Sequence, residues 1–597
     1  MGDRLRKISF NAVLVLLPFV VLGAIEGGLR VGGYASDTRS PFKAIQNEPG
    51  WTGFNPEYAS RYFRGFLPAV AFNPFREVKQ AGAFRVVVLG GSSTAGFPYQ
   101  WYDGFPAALE RRLQSHIPGR PVDVVNLGMT AVNSYTLWDI SRHVVDMDPD
   151  AVVIYAGHNE FYGALGVGNT AASAPKGVWF GRMQLLLKRS ALYTLLERAI
   201  LGPPDYGLGP QANERTMMAK VVQNAAISFE GEDYKAGIEQ FRSNMDDVLD
   251  TFSSAGIPVF AGTLVANLSG QEPLSRDTAA MDAFAEGQEL QARNRGDAAR
   301  AAFQRALDLD GIRFRASSDI NTEIASWNER DGVTVVDMQH VFDGQSESGI
   351  PGFDLFTDHL HPTLEGYDLM ARAFFGAITR LPALGHDLAP ISIPWETHAG
   401  TDPMSISQAA ILIDRLLADY PFQAEASAED VAATYARLLA ARRSSGRLGD
   451  SLAVAVLTGG VPTQQGLYEG VRISLARADT SSALRYYRSL LNWQPFNEAL
   501  MREAVALGLN TPAQDPLVEQ LALFAGARHS DAYFWNALGV TQLRQNRLPS
   551  ARSALTVAEA LNPSSPVMLY NRARLELAEG DTLAARQTFE RYRSVTQ

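Results

Sequence analysis

The sequence predicts an α/β fold built on a parallel sheet, followed by an all-helical region and preceded by one apolar helix. Three observations lead there. Val86–Leu89 is a short run of β-branched or bulky apolar residues that ends abruptly on Gly90 and Gly91. A strand buried on both faces of a parallel sheet reads this way before a tight turn into a helix. Comparable runs recur at Val122–Val125, Ala151–Tyr155, Val259–Val265 and Val333–Val336, with helical spacing over Phe105–Leu113 and Tyr234–Phe252. From Pro403 onward the pattern is helical and periodic throughout.

At 597 residues the chain exceeds one hydrophobic core, so several domains are expected. Apolar residues make up 46% and charged residues 20%, ordinary for a folded body. The net charge of -11 comes without a basic block, which argues against nucleic acid as a partner. There is no cysteine, which excludes disulfides, a thiol nucleophile and thiolate metal sites without settling the compartment.

Ile8–Ile25 is an almost unbroken apolar run, long enough to cross a bilayer. Arg4, Arg6 and Lys7 precede it, so the positive-inside bias keeps the N-terminus cytoplasmic and the body outside. No small-residue cleavage site directly follows the run, and it reads as a transmembrane signal anchor rather than a cleaved signal peptide. Residues 31–82 carry Trp51, Phe54, Tyr58, Tyr62, Phe63, Phe66, Phe72 and Phe75; the reading is an extended segment that packs its rings onto the next domain.

A small polar residue in the turn after Val86–Leu89 sits at the carboxyl edge of the sheet, where ligands of open α/β sheets bind. Ser92 is therefore a candidate nucleophile, with Ser93 its rival. Gly90-Gly91-Ser92-Ser93-Thr94-Ala95-Gly96 resembles the first block of the SGNH/GDSL hydrolases, Gly-Asp-Ser-x-Thr-x-Gly. Asn126-Leu-Gly128-Met-Thr-Ala131-Val-Asn-Ser134 is similar to the second block, Asn-x-x-x-x-Gly-x-x-Ser, with Ala131 in the place of the glycine. Gly157-His158-Asn159-Glu160 matches the third, Gly-x-Asn-Asp, except that Glu160 replaces the aspartate. Asp358-His359-Leu360-His361-Pro362 matches the fifth, Asp-x-x-His-Pro.

The resemblance covers roughly residues 83–380 and implies a three-layer, flavodoxin-like SGNH domain. It also implies a serine esterase with Ser92, His361 and Asp358 as nucleophile, base and orienting carboxylate. The spacing suits the chemistry, because one imidazole nitrogen must face the serine while a carboxylate holds the other N–H. The oxyanion donors implied are the Ser92 N–H, the Asn159 amide and the N–H of Ala131 or Gly128. Alanine could supply its N–H provided φ stays negative. His158 reads as a wall residue, and His359 as structural or a contact in the cleft. No metal or cofactor is called for.

The interval before Asp358 is long for this family, so insertions are expected over 163–230 and 280–311. In the first, Met183–Glu197 reads as one amphipathic helix packed on the domain, with a lid or a membrane-lying face as the other readings. In the second, Gly287, Leu290, Ala299, Phe303 and Ala306 resemble tetratricopeptide spacing in a helical hairpin. Residues 386–404, rich in proline and glycine, read as a linker. Beyond it, units beginning at Gln464, Glu498, Ala532 and Pro566 repeat at about 34 residues and resemble tetratricopeptide repeats, so 405–597 is expected to form an all-α solenoid. The whole divides into an anchor (1–30), an extension (31–82), the α/β domain (83–385), the linker and the solenoid. The expected substrate is an acylated glycan or lipid of the envelope, acetylated polysaccharide first. A protein partner on the solenoid is a further expectation. O-Acetyl transfer by the same triad and a non-catalytic assembly role are the alternatives.

Overall fold

Val86–Leu89 lies wholly buried within a strand, and four other strands complete a sheet parallel throughout. The computed structural model describes residues 2–63, 67–168, 177–202, 215–222, 226–385, 388–393 and 400–597. Numbered in chain order, β1 is Phe42–Ala44, β2 Trp51–Phe54, β3 Phe75–Arg76, β4 Phe84–Gly90, β5 Val122–Asn126, β6 Ala151–Tyr155, β7 Val259–Gly262 and β8 Val333–Val336. The large sheet has the order β5-β4-β6-β7-β8. The order reverses at β4, and the loops leaving β4, β5 and β6 converge at this switch point. Phe105–His116 and Leu364–Ile378 pack together on one side of the sheet, Ser134–Val145 and Glu232–Ser254 on the other. The chain is thus an α/β fold with a parallel sheet and a mostly helical C-terminal region.

Residues 31–82 are not merely extended. They form a small antiparallel sheet, β1-β2-β3, and bury Trp51, Phe54, Tyr58, Tyr62, Phe63 and Phe75. Phe66 and parts of the insertion 163–230 and of the linker 386–404 lie outside the described residues. A buried charge ties this sheet to the large one: Arg85 on β4 pairs with Asp123 at 3.0 Å and donates to the carbonyl of Arg76 at 2.8 Å.

The amphipathic stretch expected as one helix is two, Val178–Leu187 and Ala191–Leu201. Ser190 breaks it by accepting from the Tyr193 N–H, which starts the second helix. Gly181, Leu185, Ala191 and Thr194 are buried against the body, while the opposite face is exposed. The second insertion is a hairpin of Thr278–Ala292 and Gly296–Leu309, close because a Cβ on Gly287 would meet the Phe303 ring at 2.7 Å.

From Pro403 to Thr596 the described chain is helical, and helices begin at Thr463, Glu498, Ala532 and Pro566. This region is joined to the sheet domain by buried polar and aromatic contacts. Asp103 accepts from Arg488 at 2.9 Å and from Thr401 at 3.0 Å, Glu110 pairs with Arg528 at 2.7 Å, and Phe72 stacks on Trp493 at 5.3 Å. The linker reading is only partly met, since Ile391 and Ile393 are buried in the helical core. At the other end, Gly2–Val31 is one helix whose window Leu14–Val31 has mean hydropathy 1.9 and no part buried.

Candidate active site

The turn after β4 is shaped by close approach. A Cβ on Gly90 would lie 2.3 Å from the Tyr155 carbonyl oxygen and 2.1 Å from Thr94 Oγ1, so only glycine fits between β4 and β6. Ser92–Ala95 then forms a single helical turn, closed by Gly96 at φ +97°. Ser92 is partly exposed, whereas Ser93 is buried and its Oγ has no hydrogen-bond partner among the described residues. The two serines are thereby distinguished.

Ser92 Oγ lies 2.7 Å from His361 Nε2, and His361 Nδ1 lies 2.6 Å from Asp358 Oδ2. Asp358 Oδ1 accepts from the backbone N–H groups of Leu360 and His361, at 2.9 and 2.8 Å. Burial alone would raise the Asp358 pKa, but His361 and His359 hold it well below the usual carboxylate range. The carboxylate therefore stays charged and fixes the proton on His361 Nδ1. The loop is in turn held by Asn267, whose side chain donates to the Asp358 carbonyl and whose N–H donates to that of His359. Tyr367 OH donates to the Phe97 carbonyl, and the Phe97 ring covers His361 at 4.6 Å.

The second loop corrects two expectations. The Gly128 N–H is already spent on Asn126 Oδ1 at 2.8 Å, and Gly128 itself packs against Ala95, where a Cβ would meet the backbone nitrogen at 2.3 Å. Gly128 serves close packing. Ala131 does not keep φ negative: it sits at φ +58°, in the left-handed region. Its N–H has no acceptor among the described residues. On the third loop, Asn159 Nδ2 comes within 3.3 Å of a Cβ placed on Gly91. The structure thus brings Ser92, His361 and Asp358 into one hydrogen-bonded relay with Asn159 beside Gly91, and packs Gly128 against the turn that carries Ser92.

Glu160 is wholly buried and holds this loop to the helices Ser134–Val145 and Glu232–Ser254. It accepts from the Ser134 N–H at 3.1 Å, Ser134 Oγ at 2.7 Å and Gln240 Nε2 at 2.5 Å. Burial pushes its pKa up to about 7 against these hydrogen bonds. His158 accepts the Ala316 N–H on Nδ1 at 3.1 Å, and burial pushes it down to about 3. It is a neutral wall residue at ordinary pH. His359 is buried edge-on against Phe422 at 5.2 Å, with Nδ1 3.2 Å from Asp358 Oδ1. Asp358, His359 and His361 are grouped as metal ligands are, but Asp358 and His361 are already hydrogen-bonded into the serine relay.

Three contributors escape a reading of motifs, and a fourth, Asn126, shows its role only in the structure. Asn126 opens the second block and bridges the Thr94 carbonyl to the Gly128 N–H. Asn267, Gln240 and Phe422 carry no local signal and reach the site only through tertiary packing. The arrangement offers an activated hydroxyl and a base with a fixed tautomer, which suits acyl transfer from an ester.

Residues 88–369 match the model of the GDSL-like lipase/acylhydrolase family. Among solved structures, the chain is similar to a GDSL-like lipase from Bacteroides thetaiotaomicron, at 14% identity over 51% of this chain and 92% of that one, TM-score 0.27. It is similar to an acetylxylan esterase from Geobacillus stearothermophilus at 16% identity, over 51% and 95%, TM-score 0.26. MamA from Desulfovibrio magneticus RS-1 matches at 16% identity over 27% of this chain and 93% of that one, TM-score 0.20. No curated protein matches.

Proposed function

We propose that this chain, whose residues 88–369 match the GDSL-like lipase/acylhydrolase model, is an ester-hydrolysing serine hydrolase that removes O-acyl groups, acetyl foremost, from an envelope glycan or lipid. In this reading Ser92 Oγ gives its proton to His361 Nε2 and attacks the ester carbonyl carbon. The carbonyl oxygen gains the negative charge and is met by the N–H groups of Ser92 and Ala131 and the Asn159 amide. The tetrahedral adduct collapses as the alcohol leaves with the proton from His361, and an acyl-enzyme remains on Ser92. Water, deprotonated by His361, then attacks the acyl carbon, releasing the acid and restoring Ser92. Asp358 stabilises the imidazolium at both stages. The single observation behind this assignment is the 2.7 Å contact of Ser92 with His361, backed by Asp358 at 2.6 Å.

Location and partners belong to the same proposal. The exposed apolar helix supports an N-terminal membrane anchor, and Arg4, Arg6 and Lys7 ahead of the apolar run support a body outside the cytoplasm. The helix starts at Thr463, Glu498, Ala532 and Pro566 support a tetratricopeptide-type solenoid offering a surface to a partner protein.

Covalent labelling of the full chain by a fluorophosphonate tests the chemistry. Labelling should be lost in Ser92→Ala and kept in Ser93→Ala. Folded wild type that resists labelling would remove the catalytic reading and favour an assembly protein. Release of acetate from acetylated glycans in water supports hydrolysis; delivery of the acyl group to an added glycan alcohol would make the chain an O-acetyltransferase.

A further inference from the structure

The helical pair Val178–Leu187 and Ala191–Leu201 has two unlike faces. One is locked to the body: a Cβ on Gly181 would meet the Tyr135 ring at 2.6 Å, and Arg182 donates to Asn244 Oδ1 at 2.9 Å and the Ser243 carbonyl at 2.8 Å. Arg61 donates to the Leu185 carbonyl at 2.8 Å, and Arg189 reaches Asp139 at 2.9 Å beside it. The other face turns Trp179, Leu187, Leu196 and Ile200 outward, with Trp179 63% and Ile200 78% exposed. Exposed large apolar side chains on two successive helices mark an interaction surface.

Its neighbour says what covers it. Glu26 stands directly after the apolar run Ile8–Ile25, and its carboxylate accepts from Ser190 Oγ at 2.8 Å and the N–H groups of Ala191 and Leu192, at 3.1 and 2.8 Å. The start of Ala191–Leu201 is therefore pinned to the N-terminal helix at the level where the run ends. A helix of that length rises about 27 Å, close to the thickness of a bilayer's hydrocarbon core. Arg198 packs over the Tyr34 ring at 5.5 Å on the same side, and Trp, Tyr and Arg are residue types that settle at headgroup level.

We propose that residues 178–201 form an interfacial membrane element, whose outward face lies in the headgroup–acyl boundary beside the anchor. The proposal rests on the N-terminal helix spanning the membrane. Because the inner face is fixed to Ser134–Val145, whose first residue holds Glu160 next to Asn159, the element sets the height and orientation of the cleft above the lipid. A tether alone would leave the cleft free to tumble.

The chain has no cysteine, so single labels are clean. Phe19→Cys, Trp179→Cys, Ile200→Cys and Val567→Cys, each in the full chain, are labelled with an environment-sensitive fluorophore. They are reconstituted in phosphatidylethanolamine–phosphatidylglycerol vesicles with or without nitroxide-bearing lipid. Positions 179 and 200 should shift to the blue and lose intensity to nitroxide as position 19 does, while position 567 does neither. Quenching at 19 with 179 and 200 behaving like 567 overturns the proposal and leaves the anchor standing. Blue shift at 179 and 200 without quenching means that protein covers the face, a second copy or a closing lid, and also overturns it. Absence of quenching at all four positions removes the anchor and the proposal together.

Discussion

Ala131 holds a left-handed backbone at φ +58° in the loop after β5. A β-carbon there meets the following carbonyl oxygen at a cost of about 1–2 kcal/mol. The loop is retained because its flanks are fixed: the Thr130 N–H donates to the Ala69 carbonyl, and Asn133 donates to that of Glu160. Ala131→Gly should raise stability by up to about 1 kcal/mol, because glycine adopts this conformation without strain, and should leave turnover intact. Asn159→Ala should instead keep the melting temperature and lose roughly 10²–10³ in kcat, the usual cost of one preorganised donor. Thermal melts and ester turnover of the two variants separate backbone strain from charge stabilisation. Full turnover in Asn159→Ala would take that amide out of the oxyanion site.

At the scale of elements, Glu160 joins the loop after β6 to the first turn of Ser134–Val145, meeting three donors with one buried carboxylate. Its pKa is raised from 4.5 to about 7 by burial. Between those values the folded chain keeps a proton that the unfolded chain has released, so its stabilising contribution is complete below about pH 4.5 and is lost as pH rises through about 7. Denaturant titrations at pH 5 and pH 8 should show wild type losing stability relative to Glu160→Gln as pH increases. A constant difference would mean that Glu160 does not titrate there. Glu160→Gln should also lower kcat, since its amide N–H would face the Ser134 N–H and loosen Asn159.

For the molecule as a whole, the cleft is not the property of the sheet domain alone. Ile413, Leu416 and Phe422 of the helical region share a core with Phe161, Tyr162, Tyr234 and Phe314, and Phe422 contacts His359 directly. The Arg488–Asp103 pair crosses the same junction almost fully buried. Breaking such a pair from one side leaves an uncompensated charge and costs about 3–5 kcal/mol. Arg488→Met should therefore lower the melting temperature of the entire chain in one transition. Two separated transitions, with the sheet domain unchanged, would show the helical region to be an independent attachment.

Local pattern carried much of this architecture. The spans of β6 and β8 follow from short runs rich in β-branched residues, wholly buried in β6 and half-buried in β8, and Ser92, Asn159, Asp358 and His361 are legible because each block is a short contiguous turn with its own chemistry. The helix starts from Thr463 onward are legible because their period repeats. The small sheet of residues 42–76, the break at Ser190, the loss of Gly128 as a donor and the Phe422 wall were decided only by tertiary contact. Aromatic residues without a period do not announce strand partners, and a backbone N–H does not reveal which acceptor will claim it. Sequence determined which groups could do the chemistry; the folded chain decided which of them are left free to do it, because a hydrogen bond made inside the protein is one a substrate cannot have.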